Sequence, residues 1–114
     1  MRETVDVVEE KKDEIVILRI SGRLDALTSE EADKAVFTVI DRGEKNILLD
    51  FTGVTYLSSA GMRVLLSAYK RMREIKGKVA VCSIEDGVLD VLKMSGFDEV
   101  LTVFPNEDVA LKNF

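Results

Sequence analysis

Apolar positions follow two periods along the chain, and the switches between them mark the elements. Residues 4 to 10 alternate weakly and Glu14-Ile15-Val16-Ile17-Leu18-Arg19-Ile20 is a β-branched run, so the chain opens with two antiparallel strands joined at Lys11-Lys12-Asp13. Thr28 with Glu31 has the form of a capping box, after which Ala32, Ala35, Val36, Val39 and Ile40 keep helical spacing until Gly43 closes a first helix. Asn46 to Phe51 is almost continuously apolar, the pattern of a strand buried on both faces, and a turn containing Gly53 follows it. From Ser59 onward, Met62, Leu65, Leu66, Tyr69 and Met72 mark a second helix, with Gly77 where a helix C-terminal glycine belongs. Lys78 to Ser83 reads as a buried strand, Asp86 to Met94 as a short helix ended by Gly96, Glu99 to Phe104 as a last strand, and a small helix begins near Asn106. The order ββαβαβαβα predicts an α/β fold. Its mostly parallel sheet has about five strands, an N-terminal hairpin and flanking helices joined by right-handed crossovers.

Composition narrows this to one module. The 114 residues carry no repeat, linker or low-complexity tract, so a single domain spans 1–114 around one core. Sixteen basic against twenty-one acidic residues give a net charge of -5, which directs the search towards a protein partner and away from nucleic acid or an anionic membrane. Histidine is absent, so Ser-His-Asp, Cys-His and His-containing metal constellations cannot be assembled within the chain. Cys82 is alone, which excludes an intramolecular disulfide and a multi-thiolate zinc site; its neighbours Val81 and Ser83 make it a small core residue. No metal, cofactor or enzymatic turnover is expected. The N-terminus lacks the apolar core of a signal peptide and no segment reaches the length of a membrane span, so a cytoplasmic location is expected.

Chemistry in an open α/β sheet is sought just beyond the carboxyl ends of the parallel strands. Three segments qualify: Ser21 to Asp25, Asp50 with the loop Thr52 to Gly61, and Cys82 to Glu85. In the second, Ser58 and Ser59 lie where loop becomes helix, among unpaired backbone N–H groups that favour an anion. Such serines most often cap the helix through the hydroxyl, and that reading stands beside the one in which a phosphate is carried there. Gly61 either relieves crowding in the first turn or lets a partner approach the serines. Asp25 is equally open as a loop aspartate ahead of Thr28 and as a site residue, with Ser21 and Thr55 ranked below it. Residues 59 to 78 hold six basic side chains against Glu74 alone, a net +5, which suits a solvated face or an acidic partner.

Gly22-Arg23-Leu24-Asp25 and the segment Asp50 to Leu66, with Tyr56-Leu57-Ser58-Ser59-Ala60-Gly61-Met62-Arg63-Val64 at its centre, resemble the two signature segments of the STAS domain of bacterial anti-sigma factor antagonists. The resemblance extends along the whole chain, through Gly77-Lys78 and Met94-Ser95-Gly96-Phe97. It implies a partner-switching regulator: the unmodified protein binds an anti-sigma factor, itself a serine kinase, and so releases a sigma factor for transcription. Phosphorylation ends that binding and a PP2C-type phosphatase restores it. Matched through Tyr56, Leu57, Gly61 and Val64, the family's phosphorylated serine falls on Ser59, with Ser58 as the alternative. The partner-binding residues implied are Asp25, Ser58, Ser59, Gly61, Met62 and Arg63. Ser58 stands where phosphorylatable members carry aspartate, and Ala60 where serine or threonine is common. Within the same family, a scaffold module that is never phosphorylated is the second reading. A receiver-type phosphoacceptor role for Asp50 fails, because Arg19-Ile20-Ser21-Gly22 offers no acidic pair for Mg²⁺.

Overall fold

The computed structural model describes residues 5 to 114, and residue 4 of the expected first strand lies outside the described residues. Five strands form one sheet: β1 (Asp6–Lys12), β2 (Ile15–Leu24), β3 (Asn46–Leu57), β4 (Lys78–Cys82) and β5 (Thr102–Phe104). They lie side by side in chain order, β1 antiparallel to β2 and all other pairs parallel. Helices α1 (Thr28–Asp41), α2 (Ser59–Glu74) and α3 (Asp86–Ser95) carry the crossovers, and α4 (Glu107–Asn113) ends the chain. Strands added in sequence by crossovers of one hand put every crossover helix on the same face. Accordingly Val36, Val64, Leu65, Met72, Val88 and Leu92 form one core with Val16, Leu18, Leu49 and Phe51 of the sheet. Among the described residues the opposite face has only α4, whose Ala110 packs against Ile17, Leu48, Ala80 and Cys82.

The two-sided burial expected of residues 46 to 51 is present, since Ile47 and Leu49 face the helical core, Leu48 faces α4, and all three are fully buried. Cys82 is fully buried as a core residue, and burial pushes its thiol above the ordinary value.

Several boundaries differ from the sequence pattern, each for a visible reason. The hairpin turns at Asp13 and Glu14, with Asp13 at φ 55, because Lys11 and Lys12 still pair with Val16 and Ile15. β2 continues past Ile20 to Leu24, and β3 continues past Phe51 to Leu57, so Thr52 to Leu57 is strand and not loop. Gly53 lies beside Ser21 of β2, where a Cβ would come within 2.5 Å of the Ser21 Cβ; it permits close strand approach. The left-handed residue after α2 is Lys76, at φ 58, while Gly77 is needed because a Cβ there would meet the Lys45 carbonyl oxygen at 2.9 Å. Gly96, at φ 80, ends α3 as expected. The last strand begins only at Thr102, since Phe97–Glu99 forms a single 3-10 turn.

Candidate functional site

The long β2 and β3 end beside each other at Leu24 and Leu57, and α2 starts two residues later, at Ser59. This brings the Asp25 segment and the paired serines together. Ser58 is the N-cap of α2: its Oγ accepts from the Gly61 N–H at 3.2 Å and donates to the Leu24 carbonyl at 2.8 Å. The Leu24 carbonyl also accepts the Ser58 N–H at 2.9 Å, so one oxygen of β2 anchors the whole start of α2. Gly61 is buried at the same junction, and a Cβ on it would lie 2.9 Å from the Leu24 Cβ and 3.0 Å from the Leu24 oxygen. Of the two roles open to Gly61, close packing of α2 on the end of β2 is the one this geometry requires.

Ser59, the first residue of α2, is exposed. The first turn of α2 contains no acidic residue while Arg71 and Arg73 occupy its last turn, an arrangement that leaves the positive N-terminal end of the helix dipole uncompensated. Arg63, one turn beyond Ser59, is exposed as well, and Met62 is half-buried against the core. The side of α2 bearing Ala60 and Arg63 faces α1 across a shallow groove that Ala26 and Ser29 also line.

Asp25 is half-buried and bonded within its own turn. Its Oδ1 accepts from the N–H groups of Thr28 and Leu27, each at 3.0 Å. The Thr28 N–H, foremost among these bonds, holds the Asp25 carboxyl below the ordinary value of 3.8. Thr28 in turn accepts from the Asp25 N–H at 3.0 Å and donates to the Arg23 carbonyl. The capping box expected from Thr28 and Glu31 is therefore absent: the residue before α1 is Leu27, and the start of the helix is held by Asp25. The structural role open to Asp25 is realised, one residue beyond the Leu24 carbonyl that accepts from Ser58. Strand order never reverses, so the described strands form no switch point, and the serines lie on an open rim.

A polar cluster that the sequence pattern did not single out lies on the other face of the sheet. Arg19 and Asp50 interrupt two apolar strands at paired positions. Arg19 donates to Asp50 at 2.8 Å and to Glu107 of α4 at 2.6 Å, with Glu10 at 3.3 Å, while Lys12 reaches Glu107 at 2.6 Å. Asp50, only 7% exposed, also accepts from the Thr52 N–H and hydroxyl. Arg19, followed by Lys12, lowers the Glu107 carboxyl to about 2. The available signal was one charge in each of two neighbouring apolar runs. Among the described residues no group of His, Cys, Asp and Glu could hold a metal ion, and no described helix is long and apolar enough to cross a membrane.

Comparison with known proteins agrees with the fold. The STAS domain model matches residues 6–110. The anti-sigma F factor antagonist of Paenibacillus polymyxa is 32% identical over 98 residues, which are 85% of this chain and 84% of that protein. Among solved structures, an anti-sigma factor antagonist from Mycobacterium paratuberculosis superposes with a TM-score of 0.88 at 21% identity, over 96% of this chain and 92% of that one. The Bacillus cell fate determinant SpoIIAA in its phosphorylated form superposes with a TM-score of 0.72 at 20% identity, over 95% and 98% of the two chains.

Proposed function

The chain belongs to the STAS-domain family, and from that premise we propose that it is an anti-sigma factor antagonist, a binding protein with no turnover of its own, switched off by phosphorylation of Ser59. The observation that carries the choice of serine is the division of labour at the start of α2: Ser58 spends its hydroxyl on Leu24 and Gly61, while Ser59 presents its own to solvent. A kinase can reach the exposed hydroxyl without unfolding a cap. A phosphate there adds about -1.5 to -2 charge beside unpaired helix N–H groups, a favourable place for the anion in the free protein. The same charge opposes docking, because a partner covering Ser59 must strip water from it. The docking surface in this reading comprises Asp25, Ser58, Ser59, Gly61, Met62 and Arg63, with Gly61 and Ser58 shaping it from beneath. The partner is an anti-sigma factor with serine kinase activity, and a PP2C-type phosphatase returns the protein to its binding form, in the cytoplasm.

Incubation with the cognate kinase and ATP, followed by mass spectrometry, tests the site, and titration calorimetry tests the switch. The expected result is phosphate on Ser59, none on the Ser59→Ala variant, intact binding by that variant, and weaker binding by Ser59→Asp. Phosphate on Ser58 moves the site by one residue. With no phosphate on either serine and full binding by Ser59→Asp, the protein is the constitutive scaffold module of the same family.

A further inference from the structure

Arg63 differs from the other arginines of α2. The Arg71 guanidinium lies 4.4 Å from the centroid of the Phe37 ring and that of Arg73 lies 5.9 Å from the centroid of the Tyr69 ring. Arg63 is exposed and has no ring, carboxylate or hydrogen-bond partner among the described residues. The cations of the first two strands are matched by contrast, with Lys11, Lys12 and Arg19 each reaching a glutamate. On a helix, a side chain meets those three and four positions away. For Arg63 these are Ser59, Ala60, Leu66 and Ser67, and α2 holds no Asp or Glu before Glu74 at its end. Across the shallow groove, Glu30 and Asp33 of α1 are the carboxylates that line it together with Arg63, and neither is ion-paired to it.

Of the neighbours within reach, Ser59 is the exposed one that can acquire charge, since Ser67 is half-buried. An anion four positions ahead of a cation is also the favourable order along a helix. We propose that Arg63 is the internal counter-ion of a phosphate on Ser59, a reading that rests on Ser59 as the modified residue. The guanidinium donates charge-assisted hydrogen bonds to the phosphate oxygens, which its planar fork matches. Phosphorylation then alters the docking surface twice. It adds charge at Ser59, and it engages a cation that the unmodified protein leaves open to a partner.

The test uses the full chain with phosphoserine installed at position 59 during synthesis, its phosphate titrated by phosphorus NMR. A phosphoserine loses its second proton at about pH 6. A facing cation favours the dianion and lowers that midpoint, so Arg63→Gln is expected to raise it by about half a unit. Lys70→Gln removes the same charge about two turns further along α2 and is expected to raise it by less than about 0.2 unit. The helix N-terminus and the carboxylates of Asp25, Glu30 and Asp33 act alike in each protein, so the difference reads Arg63. Both substituted side chains are exposed, and circular dichroism checks that the variants keep the fold. A rise of less than about 0.2 unit with Arg63→Gln, or an equal rise with Lys70→Gln, overturns the proposal. Because no kinase installs the phosphate, that outcome counts against Arg63 alone, and the kinase assay separately decides whether Ser59 is the residue modified.

Discussion

The junction of β2 with α2 and the cluster around Arg19 hold the same two strands from opposite faces by different physics. At the junction, Leu24, Ser58 and Gly61 meet through neutral hydrogen bonds and direct packing, with no room for a methyl group on Gly61. In the cluster, Arg19 joins Asp50, Glu10 and Glu107 at the border of solvent, its side chain 31% exposed. The first arrangement depends on shape and is indifferent to pH and salt. The second tolerates changes of volume but depends on ionisation and is weakened by screening. A surface that must be presented unchanged to a partner is better set on the first kind of support, and the candidate site is found there.

The sharpest way to break the comparison is to add volume on one side only. Gly61→Val places a branched side chain against the Leu24 backbone, with no route of escape because α2 is anchored to the same carbonyl. The expected loss is about 2–3 kcal/mol in urea unfolding, the same at pH 5 and pH 8. A loss under about 0.5 kcal/mol would show that α2 can slide along the end of β2, and that the junction is not rigid.

How much of this was legible beforehand follows the same division. Asn46 to Phe51 announced a central strand because both of its faces are covered. Thr52 to Leu57 read as a loop because α4 does not extend over that end of the sheet, so Thr52, Thr55 and Tyr56 are exposed and the pattern loses its continuous apolar signal. Gly53 added to the error, since close approach to Ser21 and a turn ask for the same residue type. The serine segment was legible as a helix start. The division between its two hydroxyls was not, because it depends on the Leu24 carbonyl, thirty-four residues away in sequence. The Arg19 cluster required the parallel register of β2 and β3, which no local pattern encodes.

Removing charge from the other face gives a smaller loss with a different signature. Arg19→Met leaves Asp50 buried beside an apolar chain and releases Glu107, at an expected cost of about 1–2 kcal/mol near neutral pH. Glu107 has its carboxyl lowered from 4.5 to about 2, so its contribution is complete above pH 4.5 and is lost as pH falls through about 2. The difference in stability between wild type and Arg19→Met therefore narrows on acidification from pH 5 to 2, and Glu107→Gln removes much of that narrowing. Unfolding curves at stepped pH measure both. A difference that stays constant across this range would assign the effect of Arg19 to packing of its stem, and the contrast with the junction would collapse.

The smallest expected effects separate the two serines, and they sharpen the comparison within a single turn of helix. Ser58→Ala removes the acceptor for the Gly61 N–H and the donor to Leu24, with an expected loss of about 1 kcal/mol, typical of a helix N-cap. Ser59→Ala removes an exposed hydroxyl from the first position of the helix and should change stability by no more than about 0.5 kcal/mol. Thermal unfolding of the two variants side by side checks the difference without any partner or kinase present. Equal losses would mean that both hydroxyls hold the helix start, and that modifying Ser59 disturbs the fold itself. The expected asymmetry means instead that a phosphate can be added and removed at the surface while the support beneath it, from Ser58 through Leu24 to Gly61, stays in place.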